Sequence, residues 1–125
     1  MVKILFVDDE SMICDLSKIV LESLDKGYEV ETASNGKEGL VAYQRMQKEN
    51  SLPDLVVTDY GMPEANGEYL INGIAAVNKN QKIILACSQE PNLVEQLMIK
   101  YNLSGTLAKP YGITDLVAKI EEVLK

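Results

Sequence analysis

The chain has 125 residues, 46% hydrophobic and 25% charged, which suits one compact domain and argues against disorder. Twelve basic against nineteen acidic residues leave a net charge of −7, which disfavours nucleic-acid backbones and anionic membranes as direct partners. There is no histidine, which excludes histidine general bases, Ser-His-Asp triads and histidine metal sites.

In chain order, Ile4 to Val7 is a continuous apolar run that stops at Asp8 and Asp9, as a strand buried on both faces would. Met12, Ile13, Leu16, Ile19, Val20 and Leu24 then recur at helical spacing, with Ser11 placed to cap and Gly27 to end the helix. "YEVETA" alternates as a second strand. Asn35, with Glu38 three residues on, caps a second helix. Pro53 and Asp54 open a third strand, Leu55 to Thr58, which ends at Asp59. Gly67 precedes a third helix carrying Leu70, Ile71, Ile74 and Val77. "KIILAC" is a fourth strand, and a helix from Pro91 and Asn92 carries Leu93, Val94, Leu97 and Met98. "GTLA" is a short fifth strand. Leu116, Ile120 and Leu124 mark the last helix.

Strand and helix alternate five times without a linker or repeat, so residues 1–125 read as a single α/β domain with a parallel sheet and helices on both faces. Cys14 and Cys87 are widely separated, with no CxxC spacing, and read as reduced, buried thiols of a cytoplasmic protein. The apolar start is too short for a signal peptide, and no run approaches a membrane span.

In such sheets, ligands bind beyond the carboxyl ends of the strands. Asp8 and Asp9 end strand one, Asp59 ends strand three and Lys109 ends strand five, so all four converge on one edge. Singly, each also reads as an ordinary turn acid, helix cap or surface lysine. Together, three carboxylates without a histidine or thiolate ligand favour a hard cation, Mg²⁺ before Ca²⁺. A lysine beside them suits a phosphate oxygen, and a carboxylate can act as nucleophile and carry an aspartyl phosphate.

"ILFVDDE", "VVTDYGMPEANG" and "LAKPY", in this order and spacing over essentially the whole chain, resemble the receiver domain of bacterial-type response regulators. The D-x-x-M-P-x-x-x-G run from Asp59 to Gly67 is the most specific part. The resemblance implies a flavodoxin-like five-stranded sheet of order 2-1-3-4-5. It implies Asp59 as phosphoacceptor, with Mg²⁺ held by Asp8, Asp9, Asp59 and the Gly61 carbonyl. Lys109 would contact the phosphoryl group, and the Lys109–Pro110 bond is cis in many such domains. The implied partners are a sensor histidine kinase or phosphotransfer protein upstream and a protein partner, or an output domain absent from this chain, downstream. No enzymatic activity is implied beyond taking and losing the phosphoryl group.

The chain departs from the family at two positions. Where Thr or Ser is usual at the end of strand four, it has Cys87, with Ser88 next to it. Either Cys87 donates weakly to the phosphoryl group, or Ser88 does so in its place, or Cys87 packs in the core. Where an aromatic switch residue is usual, it has Thr106, which also reads as a plain strand residue. Gly61 and Gln89 flank the acceptor at positions that tend to set phosphate lifetime. Tyr101, Leu103 and Thr106 fall on the face that such domains commonly offer to partners.

Competing readings fit less well. A pseudo-receiver that no longer switches suits Cys87 and Thr106 but not the intact acids and lysine. An aspartate-nucleophile phosphatase carries acids one residue apart, whereas Asp8 and Asp9 are adjacent. A flavin carrier needs a glycine- and hydroxyl-rich phosphate loop, and "VDDESM" is acidic instead.

Overall fold

The computed structural model describes residues 1–88 and 91–125. The strands are β1 (Val2–Val7), β2 (Tyr28–Ala33), β3 (Leu55–Asp59), β4 (Ile83–Cys87) and β5 (Gly105–Ala108). The helices are α1 (Ser11–Glu22), α2 (Gly36–Lys48), α3 (Gly67–Ala75), α4 (Pro91–Tyr101) and α5 (Ile113–Leu124). All strand pairs are parallel, in the order β2-β1-β3-β4-β5, which is the flavodoxin-like arrangement.

The apolar runs of the central strands follow from burial on both faces. Leu5, Val7, Val56 and Leu85 point to one side, where they meet Tyr43 and Met46 of α2, Leu70, Ile71 and Ile74 of α3 and Leu97 of α4. Ile4, Phe6, Leu55, Val57 and Ile84 point to the other, against Cys14 and Leu21 of α1 and Leu116 and Ile120 of α5. Successive side chains alternate between the two layers, and the buried polar residues of the strands, Thr58 and Asp59, come at the carboxyl end of β3.

Three local readings of the sequence need correction. Ser11 is the first helical residue of α1 and does not cap it; Glu10 holds that place without a side-chain hydrogen bond. The Asp8 carboxylate instead accepts the Glu10 N–H at 2.9 Å, tying the helix start to the tip of β1. Gly27 lies beyond the helix end at Glu22; its φ of 73° shapes the turn into β2, a conformation glycine adopts without strain. Val77 lies past the end of α3 and is half exposed.

The inward face of α1 is also not the one its apolar spacing suggests. Cys14, Ser17 and Leu21 are buried, whereas Met12, Leu16 and Ile19 are 83, 53 and 67% exposed. The cap of α2 is as read: Asn35 accepts the Glu38 N–H at 2.8 Å. Glu38 reaches back to the Ser34 N–H and hydroxyl, closing the turn from the other side.

Candidate phosphoryl and cation site

Parallel pairing brings the strand tips together. Asp8 N–H donates to Ala33 O, Tyr60 N–H to Ala86 O and Lys109 N–H to Cys87 O, so the chain leaves β1, β3 and β5 at one edge. Asp8 and Asp59 are almost fully buried there, while Asp9 is exposed. One carboxylate oxygen from each of the three lies within 4.8 Å of the others.

Lys109 holds this cluster together. Its ammonium is 3.1 Å from Asp59 Oδ2, 3.3 Å from Asp8 Oδ2 and 3.8 Å from Glu10 Oε1. Burial, against the opposing pull of Lys109, raises the Asp8 and Asp59 carboxyls above their ordinary range. For Asp59 the charge of Asp8 adds to the rise. Burial alone would pull the Lys109 ammonium down, but its bonds to Asp59 and Asp8 carry it upward. The site is thus charge-frustrated: two buried acids, a third at the rim and one strongly held cation.

The loop after Asp59 is fixed by close backbone approach. A Cβ on Gly67 would sit 2.5 Å from the Asp59 carbonyl oxygen and 2.8 Å from Tyr60 Cα. A Cβ on Gly36 would sit 2.6 Å from the carbonyl oxygens of both Ala65 and Asn66. Hydrogen bonds run along the same contacts, from Gly67 N to Tyr60 O at 2.8 Å and from Gly36 N to Ala65 O at 2.9 Å. Met62, 8% exposed, anchors the loop in the core. The spacing from Asp59 to Gly67 therefore has a mechanical reason. The matching role of Gly36 was missed, and its place as the first helical residue after an Asn cap was the signal available.

A cavity of about 580 Å³ opens over the site, lined by Asp59, Gly61, Ser88 and Lys109 and walled by Ile13 and Leu16 of α1 and Tyr111 beyond β5. A Cβ on Gly61 would meet nothing within 4 Å, so the space beside Gly61 is open. Ser88 lines this cavity, whereas Cys87 is buried in the core layer shared with Met62, Leu97 and Leu103. Of the two, Ser88 is the one on the cavity wall.

Thr106 is half-buried in β5, in register with Leu85 and outside the cavity lining. Gln89 lies outside the described residues. Leu103 is core rather than surface, and the Tyr101 hydroxyl donates to Glu68 of α3 at 2.9 Å. The Lys109–Pro110 bond is cis, as the resemblance implies.

The donor chemistry of Asp8, Asp9 and Asp59 fits a hard divalent cation. No helix among the described residues is long and apolar enough to cross a membrane.

Comparison with known proteins agrees with this fold. The family model for the response regulator receiver domain matches residues 4–121. The chain is 31% identical over 126 residues to the chemotaxis protein CheY of Thermotoga maritima, covering 98% of both. It is 31% identical to a transcriptional regulatory protein, the CpxR homolog of Haemophilus influenzae, covering all of this chain but 51% of that protein. The chain thus spans about half the length of several curated relatives it matches. Among solved structures, a CheY-like receiver domain from Methanospirillum hungatei superposes with a TM-score of 0.84 at 29% identity, covering 99% of this chain and 94% of that one. A receiver domain from Clostridium thermocellum gives 0.82 at 31% identity, with the same coverage.

Proposed function

Because the chain belongs to the response regulator receiver domain family, we propose that it works by accepting a phosphoryl group on Asp59 from a phosphohistidine of a sensor kinase or phosphotransfer protein. The observation that carries this reading is the Lys109 ammonium bridging Asp59 and Asp8 at the cavity floor. An Asp59 oxygen attacks phosphorus, the P–N bond to the donor breaks, and the electron pair leaves with the imidazole. Mg²⁺, when bound by Asp8, Asp9, Asp59 and the Gly61 carbonyl, supplies charge neutralisation at the transferring group. Lys109 pairs with a phosphoryl oxygen, giving up its present bonds to the acids. Ser88 is the hydroxyl donor we assign to that group. Its place on the cavity wall supports this over Cys87.

The entrance bears on the donor. Ile13 and Leu16 form one wall of the cavity, and Met12, Leu16 and Ile19 continue outward as an exposed apolar strip. The exposed apolar strip beside the cavity supports docking of a macromolecular donor along α1.

The test is intact-mass measurement after incubation with Mg²⁺ and acetyl phosphate, a donor that needs no protein contact. One phosphoryl adduct is expected, absent when Mg²⁺ is chelated and absent in Asp59→Asn. An adduct that persists in Asp59→Asn would assign the acceptor elsewhere. A folded protein that forms no adduct and binds no beryllium fluoride would favour the pseudo-receiver.

A further inference from the structure

Helix α4 has the shallowest hold on the core. Leu97 is its one fully buried residue, whereas the shorter α3 buries Gly67, Leu70, Ile71 and Ile74. Elements with little burial lie at the low end of local stability, and segments that move are drawn from there. Among the described residues, the side-chain hydrogen bonds from α4 to another element converge on one atom, Glu68 Oε2. Tyr101, the last residue of α4, donates its hydroxyl at 2.9 Å, and Lys100 its ammonium at 3.3 Å. The ammonium also lies 5.1 Å from the centre of the Tyr101 ring, so the two donors are held together.

Both ends of α4 lead to the acceptor. Glu68 follows Gly67, whose backbone presses on the Asp59 carbonyl and whose N–H donates to Tyr60 O. At the other end, α4 starts at Pro91, three residues after Ser88, which lines the cavity with Asp59. The contact with Glu68 thus pins the far end of a helix whose near end is tethered to the cavity wall. A helix with one buried anchor can follow a pull at Ser88, and the pinned end resists it.

We propose that the contact of Glu68 with Tyr101 and Lys100 is an autoinhibitory restraint, which holds α4 in its present seat and opposes the shift that carries the Ser88 hydroxyl to a phosphoryl group on Asp59. This rests on the reading of Asp59 as acceptor and Ser88 as hydroxyl donor. The restraint weakens when the site is filled. Coupling is reciprocal, so removing the restraint favours the filled site by the same factor. The net contribution of one hydrogen bond sets that factor at about fivefold.

The experiment titrates beryllium fluoride, a phosphoryl mimic, with Mg²⁺ in excess, into wild type, Tyr101→Phe, Glu68→Ala and the double variant. Tyr101→Phe keeps the ring and loses only the hydroxyl, and it is expected to bind about fivefold tighter. Glu68→Ala, which removes the acceptor of both donors, is expected to gain at least as much. The double variant should gain no more than Glu68→Ala alone, because both changes act on one contact. Hydrogen exchange of the α4 amides should quicken in wild type on adding beryllium fluoride and should already be quick in Tyr101→Phe without it. Equal or weaker binding by both single variants, gains that add in the double variant, or α4 exchange that ignores beryllium fluoride would overturn the restraint and leave Asp59 standing as acceptor. A wild type that binds no beryllium fluoride would overturn the phosphoryl site itself, and this inference with it.

Discussion

Asp59 sits with Asp8 under a single lysine, and the pKa directions set what happens when each is changed. Both carboxyls are raised above their unfolded values, so the folded state binds protons more readily than the unfolded one. Their favourable contribution is complete below the unfolded value of 3.8 and is lost as pH rises through the folded values. At neutral pH, without metal, ionised Asp59 is therefore a net cost to stability. Asp59→Asn should unfold at the same or a higher temperature than wild type at pH 7, and the gap should shrink as pH is lowered towards 4. A variant clearly less stable at pH 7 would mean that the Lys109 pair outweighs burial. Asp9 stands apart, being exposed and free of that burial. Asp9→Ala should leave stability within about 0.5 kcal/mol, as is usual for surface positions. It should nonetheless weaken Mg²⁺ binding, and unchanged affinity by titration would remove Asp9 from the ligand set.

At the scale of elements, the loop between β3 and α3 is where backbone geometry dictates residue type. Gly67→Ala would drive a Cβ into the Asp59 carbonyl, and backbone on both sides leaves nothing flexible to yield. A loss of several kcal/mol, in the exceptional range for single substitutions, is expected in chemical denaturation. A loss below 1 kcal/mol would show the loop can move. Helix α1 gives a test of the entrance. Ile19→Asp, on the same strip but outside the cavity lining, should slow transfer from a phosphorylated kinase or phosphotransfer protein while leaving labelling by acetyl phosphate within about twofold, the two rates being measured side by side on an exposed residue. Equal slowing of both would place the effect in the site rather than in docking.

The same helix shows why some of this was legible in the sequence and some was not. Buried strands declare themselves through uninterrupted apolar runs, so β1, β3 and β4 were found nearly to their ends, and with them the acids that terminate them. Asn35 was found because its cap chemistry is local. The face of α1 was misread because helical spacing fixes a stripe but not the direction it points; Ser17 and Cys14 face inward while Leu16 and Ile19 face out. The contacts of Gly36 with the Ala65–Asn66 backbone are long-range and leave no local pattern. Ser88 and Cys87 are neighbours on either side of the end of β4, Cys87 in the core and Ser88 on the cavity wall, which sequence left open by one residue.

Across the whole molecule, site and fold are coupled through the sheet. A cation bound by the native acids and not by the unfolded chain adds RT ln(1 + [L]/Kd), about 2.7 kcal/mol at a hundredfold excess over Kd. The family's usual route from site to partner surface runs through an aromatic residue where this chain has Thr106. The Tyr101 hydroxyl ties α4 to Glu68 of α3. The mapped family covers residues 4–121, so Asp59, Lys109 and Thr106 all lie within one receiver unit.

The central claim is that Asp59, served by a cation and Lys109, takes the phosphoryl group. Intact-mass spectrometry after acetyl phosphate treatment tests it most directly, run on wild type, Asp59→Asn and Lys109→Ala, each with Mg²⁺ and with chelator. The account predicts a single phosphoryl adduct on wild type with Mg²⁺ and none without it. It predicts none on Asp59→Asn and at most a trace on Lys109→Ala. A full adduct on Asp59→Asn, or one on wild type that ignores the chelator, would contradict it.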